Sequence, residues 1–473
     1  MHPELTATEK ELFGIIAHQA SKMHQDVYAV GGFIRDKLLG IPSKDIDFVT
    51  VGDGPALAEN VSKALGKDAS DLSIFKNFGT AMFRYKDLEL EFVGARKESY
   101  HQGSRKPEVE QGTLREDQLR RDFTINTLAI HLQGTPPFAL LDPFNGIEDL
   151  KTKKIITPLD PHQTFSDDPL RMMRAIRFAT QLSFTIDPST FDAIRSMRSR
   201  IEIVSIERII FELNKIMLTP VPSKGFLLLD TAGLLPYILP EMEALKGVEQ
   251  IEGHGHKDNF YHTLQVLDNV AASSDNLWLR WAALMHDIAK PVTKKFEQGH
   301  GWTFHGHETV GAGMVVRIFR RLKMPLDDKM KYVQQLVRLH LRPIALVQDE
   351  ITDSAVRRLL FEAGDQIEDL MTLCKADITS KNPDRVNRYL RNYEVVISRL
   401  QEVEAKDHLR NWQPPISGEV IMKTFNIKPG REVGEIKTAI REAILDGELE
   451  NDYDKAFAFM IEEGKRLGLT QGE

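Results

Sequence analysis

The chain has 473 residues, 42% of them hydrophobic and 27% charged, which is too long for one ordinary core at roughly 100–200 residues per unit. A formal net charge of −8 excludes a surface that coats a polyanion wholesale, so any nucleic-acid contact has to be local. The single cysteine, Cys374, excludes an intramolecular disulfide and a multi-cysteine zinc site and fits a reducing cytoplasm. No apolar run approaches the roughly 20 residues of a membrane helix. Met1 to Lys10 lacks the basic and apolar regions of a secretory signal, which predicts a chain that is not exported.

In chain order, the apolar run Val27–Val30 reads as a strand, Gly31-Gly32 as its turn and Phe33–Leu39 as a helix. Asp45–Val51, Gly79–Tyr85 and Leu88–Val93 are short, rich in β-branched or aromatic residues and bounded by turn formers, and complete a small sheet. Between Lys97 and Asp117 the polar composition with Gly103, Pro107 and Gly112 predicts a mobile loop rather than a packed element. From Pro169 the periodicity becomes helical, with segments at Leu170–Leu182, Pro188–Met197, Ile206–Met217, Leu264–Val270, Leu277–Ala289 and Gly311–Lys323. Proline-rich joints fall at Thr219–Pro222, Pro236–Pro240 and Gln413–Pro415. Arg171, Arg174, Arg177, Arg195, Arg198, Arg200 and Arg208 crowd one stretch and make it the candidate RNA face, with a solvated helix surface as the alternative.

Asp45-Ile46-Asp47-Phe48 alternates charge with apolar residues, so in a strand both carboxylates share one face. Magnesium needs only one or two carboxylates besides substrate phosphates, although an isolated pair of this kind is as readily a solvated strand. Gly31 and Gly32 lie just upstream, where backbone can approach a phosphate at a helix N-terminus, and Arg35 follows as a phosphate clamp. Glu89 and Glu91 share a face of the next strand and offer a third acid.

Gly31-Gly32-Phe33-Ile34-Arg35-Asp36 followed by Asp45-Ile46-Asp47-Phe48 resembles the head motif of the class II tRNA nucleotidyltransferase and bacterial poly(A) polymerase family. Arg120-Arg121-Asp122-Phe123-Thr124-Ile125-Asn126, Leu141-Asp142-Pro143-Phe144 and Asp167-Asp168-Pro169-Leu170-Arg171-Met172-Met173-Arg174 resemble its later motifs, in the same order, over residues 27 to about 240. The resemblance implies a small sheet of the DNA polymerase beta superfamily, with Asp45, Asp47 and Glu91 as catalytic acids around Mg2+. Glu91 is chosen over Glu89 because its spacing to Arg96 matches the family. Gly31, Gly32, Arg35, Arg121, Asp122, Asn126, Asp168, Arg171 and Arg174 become nucleotide-binding, Asp168 and Arg171 by reading the base edge of C and A. Asp168 before Pro169 is also a good helix cap. Asp167 stands where the family usually has Glu, one methylene shorter.

His286-Asp287 interrupts an apolar helical pattern, which disfavours folding unless both groups are satisfied. With His262, His307, His340 and Asp377 it resembles the HD phosphohydrolase superfamily, which implies one or two divalent ions, Ni, Mn, Mg or Fe. His254, His256 and His305 are read as surface or supporting residues.

The expected fold is thus α+β: a polymerase-beta-like nucleotidyltransferase sheet followed by an all-helical body with an HD-type domain. Its expected parts are a head over 1–150, a helical neck over 151–240, the HD-type domain over 245–385 and a helical tail over 386–473. The implied activity is template-independent addition of C and A from CTP and ATP to the tRNA 3′ end, releasing pyrophosphate, with an added phosphohydrolase activity open. The alternatives are a poly(A) polymerase, partial CC or A addition, or a metal-dependent phosphohydrolase with an RNA-binding N-terminal half.

Overall fold

The computed structural model describes residues 2–75, 79–99, 108–247, 250–251, 254–255, 258–348, 352–379, 382–407 and 412–471. It falls into two compact units, residues 1–219 with 224–240, and residues 220–223 with 241–473.

The first unit is built on a seven-stranded sheet in the order β3-β4-β5-β2-β1-β8-β9. Its strands are β1 (Val27–Val30), β2 (Asp45–Thr50), β3 (Ser73–Phe75), β4 (Thr80–Tyr85), β5 (Leu88–Gly94), β8 (Ala129–His131) and β9 (Ala139–Leu141). Every neighbouring pair is antiparallel except β2 and β5, which run parallel. The alternation in β2 does what its sequence demands: Ile46 and Phe48 are buried while Asp45 is exposed and Asp47 only half-buried. Phe48 stacks on Phe92 of β5 with ring centroids 4.9 Å apart and meets Phe13 edge-on at 5.6 Å. Phe13 comes from the helix Ala7–Lys22, whose Leu12, Phe13 and Ile16 face the core behind a Thr6–Glu9 capping box. Removing the Phe13 ring would cost about 3–5 kcal/mol, since it is fully buried against three aromatic partners, Phe33, Phe48 and Phe138.

The helices after the sheet, Leu170–Leu182, Pro188–Met197 and Ile206–Met217, have the bounds that their apolar spacing predicts. The stretch from Lys97 to Asp117 departs from expectation. Arg96–Ser99 (β6) and Glu108–Gln111 (β7) pair as an antiparallel ribbon, and Leu114–Leu119 is a helix, while residues 100–107 lie outside the described residues. Thr113 and Glu116 form a capping box that starts this short helix, a signal the polar composition masked.

Among the described residues the second unit is helical apart from two small ribbons, Gln250–Ile251 with His254–Gly255 and Lys295–Glu297 with Gly301–Thr303. Its central helices are Asn259–Ala271, Leu277–Met285, His307–Arg321, Asp328–Leu339 and Ile367–Ala376. The helix expected to run through residue 289 stops at Met285, and residues 286–289 form a turn. The polar pair His286-Asp287 therefore does not interrupt a helix but stands just past its end, where the backbone is free to aim both side chains inward. Among the described residues no helix is long and apolar enough to cross a membrane.

Candidate functional sites

In the first unit, the parallel register of β2 and β5 sets Asp45 opposite Glu89 and Asp47 opposite Glu91. These acids line a cavity of about 380 Å³ with Gly32, Arg35, Asp36 and Met82. Arg84 on β4 pairs with Glu89, which occupies that carboxylate and leaves Glu91 as the acid facing Asp47. Burial raises the Asp47 pKa, Arg121 opposes the rise, and the negative charges of Asp45 and Asp117 add to it. Glu91 is raised by burial and then by Asp47, against the pull of Arg96. Three mutually repelling acids around one concavity fit a divalent cation, whose charge would reverse both shifts.

A second cavity of about 440 Å³ shares Gly32, Arg35 and Asp47 with the first and is lined further by Gly31, Arg121, Asp122, Asn126, Asp168, Arg171, Arg174 and Arg208. Gly31 has φ +75°, and a Cβ there would stand 2.8 Å from the Arg121 guanidinium. The turn thus needs glycine both for its conformation and for the arginine packed against it. Arg35 donates to the Asn126 side-chain oxygen at 2.7 Å, and Asn126 donates to Asp122 at 2.9 Å. Arg174 closes the chain on Asp122 at 2.7 Å. Burial opposes the Asp122 charge, but Arg174 and Asn126 outweigh it and hold its pKa at about 2.

The structure brings all the predicted nucleotide-binding residues to this cavity, with two differences in how they act. Asp168 and Arg171 share a backbone hydrogen bond, Arg171 N–H to the Asp168 carbonyl at 3.0 Å, while their side chains go to other partners. Asp168 accepts from the Leu170 backbone at 3.1 Å and from Arg208 at 2.8 Å, so it meets the first N–H of the helix from two residues upstream and lines the cavity at once. Arg171 donates to the backbone oxygens of Thr164 and Arg120. The clustered arginines are likewise not one outward face. Arg177 is buried on Glu212 at 2.5 Å, and Arg171, Arg174 and Arg208 line the cavity. The guanidiniums of Arg35, Arg174 and Arg177 lie over the Phe178 ring at 4.9, 5.4 and 3.8 Å. Counting along the sequence could not reveal this, because spacing alone does not show which cations find buried carboxylates.

Reading the motifs missed Asp117 and Glu212, and it placed Arg208 on the candidate RNA face rather than in this cavity. Asp117 is buried beneath Arg120 and Arg121 and accepts from both, which fixes Arg121 against Gly31. Its position four residues before Arg121 was the available signal.

In the second unit the six expected ligand residues gather in one cluster, with the four histidines around Asp287 and Asp377 beside two of them. One carboxylate oxygen of Asp287 lies 3.5 Å from His262 Nε2 and 3.3 Å from His286 Nε2, and the other lies 3.3 Å from His307 Nε2 and 3.9 Å from His340 Nε2. Asp377 joins at 2.8 Å from His262 and 3.7 Å from His286. The side chains form two groups able to hold a metal ion, His262–His286–Asp287 and Asp287–His307–His340. His286, His307 and His340 each turn Nδ1 to the backbone oxygen three residues earlier, at 2.7, 2.8 and 2.6 Å. A carbonyl can only accept, so Nδ1 carries a proton there and Nε2 is the atom turned toward Asp287. Nε2 of His286 is a fully buried nitrogen with no hydrogen-bond partner among the described residues, an arrangement that suits a metal ligand. Burial, then His286, pushes His340 down to about 4, which keeps its imidazole neutral. Asp287 stays ionised because His286 and Lys290 outweigh its burial. His305 is exposed, 3.8 Å from Glu297, and His254 sits in a ribbon strand. His256 lies outside the described residues.

Comparison with known proteins agrees with this architecture. The model of the poly(A) polymerase head domain matches residues 27–156, that of the "Probable RNA and SrmB- binding site of polymerase A" matches 183–246, and the HD domain matches 259–381. The chain is 32% identical over 433 residues to the A-adding tRNA nucleotidyltransferase of Deinococcus radiodurans, covering 89% of this chain and 92% of that one. It is 33% identical over 371 residues to the multifunctional CCA protein of Nitrosococcus oceani, covering 76% and 85%. The solved Bacillus stearothermophilus CCA-adding enzyme in complex with CTP shares the fold, with a TM-score of 0.67 at 24% identity over 98% of this chain and 99% of that chain. The fold and its paired-carboxylate cavity are those of a polymerase-beta-like nucleotidyltransferase head. The chain belongs to the family of tRNA nucleotidyltransferases built on the poly(A) polymerase head, here with an HD domain.

Proposed function

We propose that the chain extends the 3′ end of tRNA without a template, adding C and A residues from CTP and ATP and releasing pyrophosphate. The observation that carries this reading is the register that sets Asp47 against Glu91 beside the cavity holding Asp168, Arg171 and Arg174. Asp45, Asp47 and Glu91 would hold Mg2+, which when bound supplies a Lewis acid for the attacking 3′-hydroxyl and the departing pyrophosphate. Gly31 and Gly32 let the triphosphate approach the backbone, while Arg35, Arg121 and Arg174 offset its charge. Asp122 holds Arg174, Asn126 holds Arg35 and Asp117 holds Arg121, and the second amide hydrogen of Asn126 is left as a donor for the ribose. Asp168 and Arg171 present an acceptor and a donor fork to the base from separate anchors, Arg208 and the Thr164 and Arg120 carbonyls.

We assign residues 1–150 to the head, 151–240 to a neck that selects the nucleotide and binds RNA, 245–385 to the HD-type domain and 386–473 to the tail. In the HD-type domain His262, His286, Asp287, His307, His340 and Asp377 would hold one or two divalent ions, with transition metals favoured by the four imidazoles. Such ions supply a hydroxide nucleophile for phosphoester hydrolysis. The lone buried Cys374 fits work in a reducing cytoplasm.

The likeness to an A-adding enzyme favours a second reading, addition of the terminal A alone. The purified chain, given labelled CTP and ATP with tRNA lacking its last three nucleotides or lacking only the last, separates the two. Extension of the first substrate by three nucleotides supports CCA addition. Extension of only the second supports A addition, and unlimited ATP incorporation would replace both with poly(A) synthesis.

A further inference from the structure

The fourth imidazole of the cluster is held differently from the other three. His286, His307 and His340 turn Nδ1 to backbone carbonyls, whereas Nδ1 of His262 lies 3.0 Å from the hydroxyl of Thr379. Thr379 stands two residues past Asp377, whose carboxylate is 2.8 Å from Nε2 of the same ring. The two segments are tied a second time. Asn269, about two turns along the His262 helix, donates to the Ala376 carbonyl at 2.8 Å. Half-buried Thr379 is therefore anchored beside His262 by the same packing that brings Asp377 to the cluster.

The two kinds of partner differ in what they permit. A carbonyl only accepts, so each of the other three rings keeps a hydrogen on Nδ1. A hydroxyl donates or accepts. With its hydrogen on Nδ1, the neutral His262 ring donates to Thr379 and has Nε2 free for a cation. With the hydrogen on Nε2, the same ring accepts from Thr379 at Nδ1 and donates to Asp377, and it offers no ligand atom. Nδ1 is satisfied in both forms, which no carbonyl would allow.

We propose that Thr379 is a positioning residue of the metal centre: its hydroxyl presents Nε2 of His262 to the ion held by His262, His286 and Asp287, and by reversing its role it makes His262 the one imidazole whose hydrogen moves with occupancy. The inference rests on the reading of the HD-type domain as a metal centre and adds to it a residue outside the ligand set. Thr379 acts through His262 alone, so its influence falls on one of the two groups able to hold an ion and spares Asp287–His307–His340. Partners of this kind on a ligand's far nitrogen change metal affinity by about 10–100-fold when removed.

The test is titration of the chelator-treated full chain with Co2+, for the parent, Thr379→Val and Thr379→Ser. Binding is followed through the visible absorption bands that His286→Ala removes, which separates the cluster from the acids of the head. Thr379→Val keeps the shape and deletes the hydroxyl, and is expected to weaken Co2+ at this centre about tenfold without abolishing it, while Thr379→Ser restores the parent affinity. The melting temperature of the chelator-treated Thr379→Val chain should match the parent. Spectra of the chain labelled with 15N in histidine supply a second readout: on Zn2+ loading, one ring, absent from His262→Gln, should move its hydrogen from Nε2 to Nδ1 while the other rings of the cluster keep theirs on Nδ1. A Thr379→Val titration that coincides with the parent, or a Thr379→Ser chain as weak as Thr379→Val, would overturn the proposal. A Thr379→Val chain that melts early without metal would assign the residue to the fold instead. Failure of the metal reading looks different, because the parent itself would then show no bands that depend on His286.

Discussion

The carboxylate of Asp122 takes the Arg174 guanidinium at 2.7 Å from 52 residues further along the chain, tying the RRDFTIN segment to the helix Leu170–Leu182. Asp122 is almost fully buried, so the pair is not a screened surface contact, and cutting it leaves an arginine aimed at an empty acceptor. Asp122→Asn is expected to destabilise the chain by about 3 kcal/mol and to raise KM for nucleotide more than it lowers kcat. Urea unfolding and steady-state kinetics check the two halves; an unchanged KM would remove Asp122 from the nucleotide site.

The same pair sets an acid limit. The folded Asp122 pKa of about 2 lies below an unfolded value near 3.8, so the unfolded chain binds the proton first. The stabilisation is whole above pH ~4 and is lost as pH falls toward ~2, amounting to about 2 kcal/mol. Unfolding midpoints of the parent should drop through this window more steeply than those of Asp122→Asn.

Asp45→Ala and Asp47→Ala are each expected to reduce nucleotide incorporation on the order of 10³-fold with little change in melting temperature. The reason is that the carboxylates repel one another in the folded chain, so removing one relieves burial and charge together. Retained incorporation in either variant would transfer the chemistry elsewhere. Glu91→Gln should behave alike, whereas Glu89→Gln, whose partner is Arg84, should cost little activity.

Gly31→Ala places a Cβ 2.8 Å from the Arg121 guanidinium at φ +75°, and is expected to cost about 1–2 kcal/mol and to displace that arginine. Differential scanning calorimetry measures the first effect. A second substitution, Gly31→Ala with Arg121→Lys, should recover part of the stability but not the nucleotide affinity, because lysine lacks the planar fork.

In the second unit, dialysis against a chelator should lower the melting temperature and reloading with Mn2+ or Ni2+ should restore it, since a ligand that binds only the folded state stabilises it. Metal analysis of His286→Ala should show loss of the ion. Equal melting curves with and without metal would mean that the imidazoles fill a structural role alone.

Much of this arrangement was legible in the residues. The alternation of Asp45-Ile46-Asp47-Phe48 forecast a one-faced pair, and the apolar spacing of Leu170–Leu182, Pro188–Met197 and Ile206–Met217 forecast the helix bounds. The ribbon of β6 and β7 was missed because every residue in it but Val109 is polar, too little for a sustained period-two pattern. The end of the helix at Met285 was missed because the apolar pattern runs on through Ile288 and Ala289, which are buried by the turn rather than by a helix. The arginine cluster misled for a different reason. Which cations turn inward depends on Asp122, Asp168 and Glu212, brought near only by tertiary packing.

The backbone grip on His286, His307 and His340 reaches beyond ligand geometry. Each ring takes its orientation from a carbonyl of its own turn, so the identity of the atom offered to an incoming ion is insulated from most changes in neighbouring side chains. The centre can therefore tolerate drift in its surroundings, and its failure should be abrupt, coming when a turn is remade rather than when a neighbour is swapped.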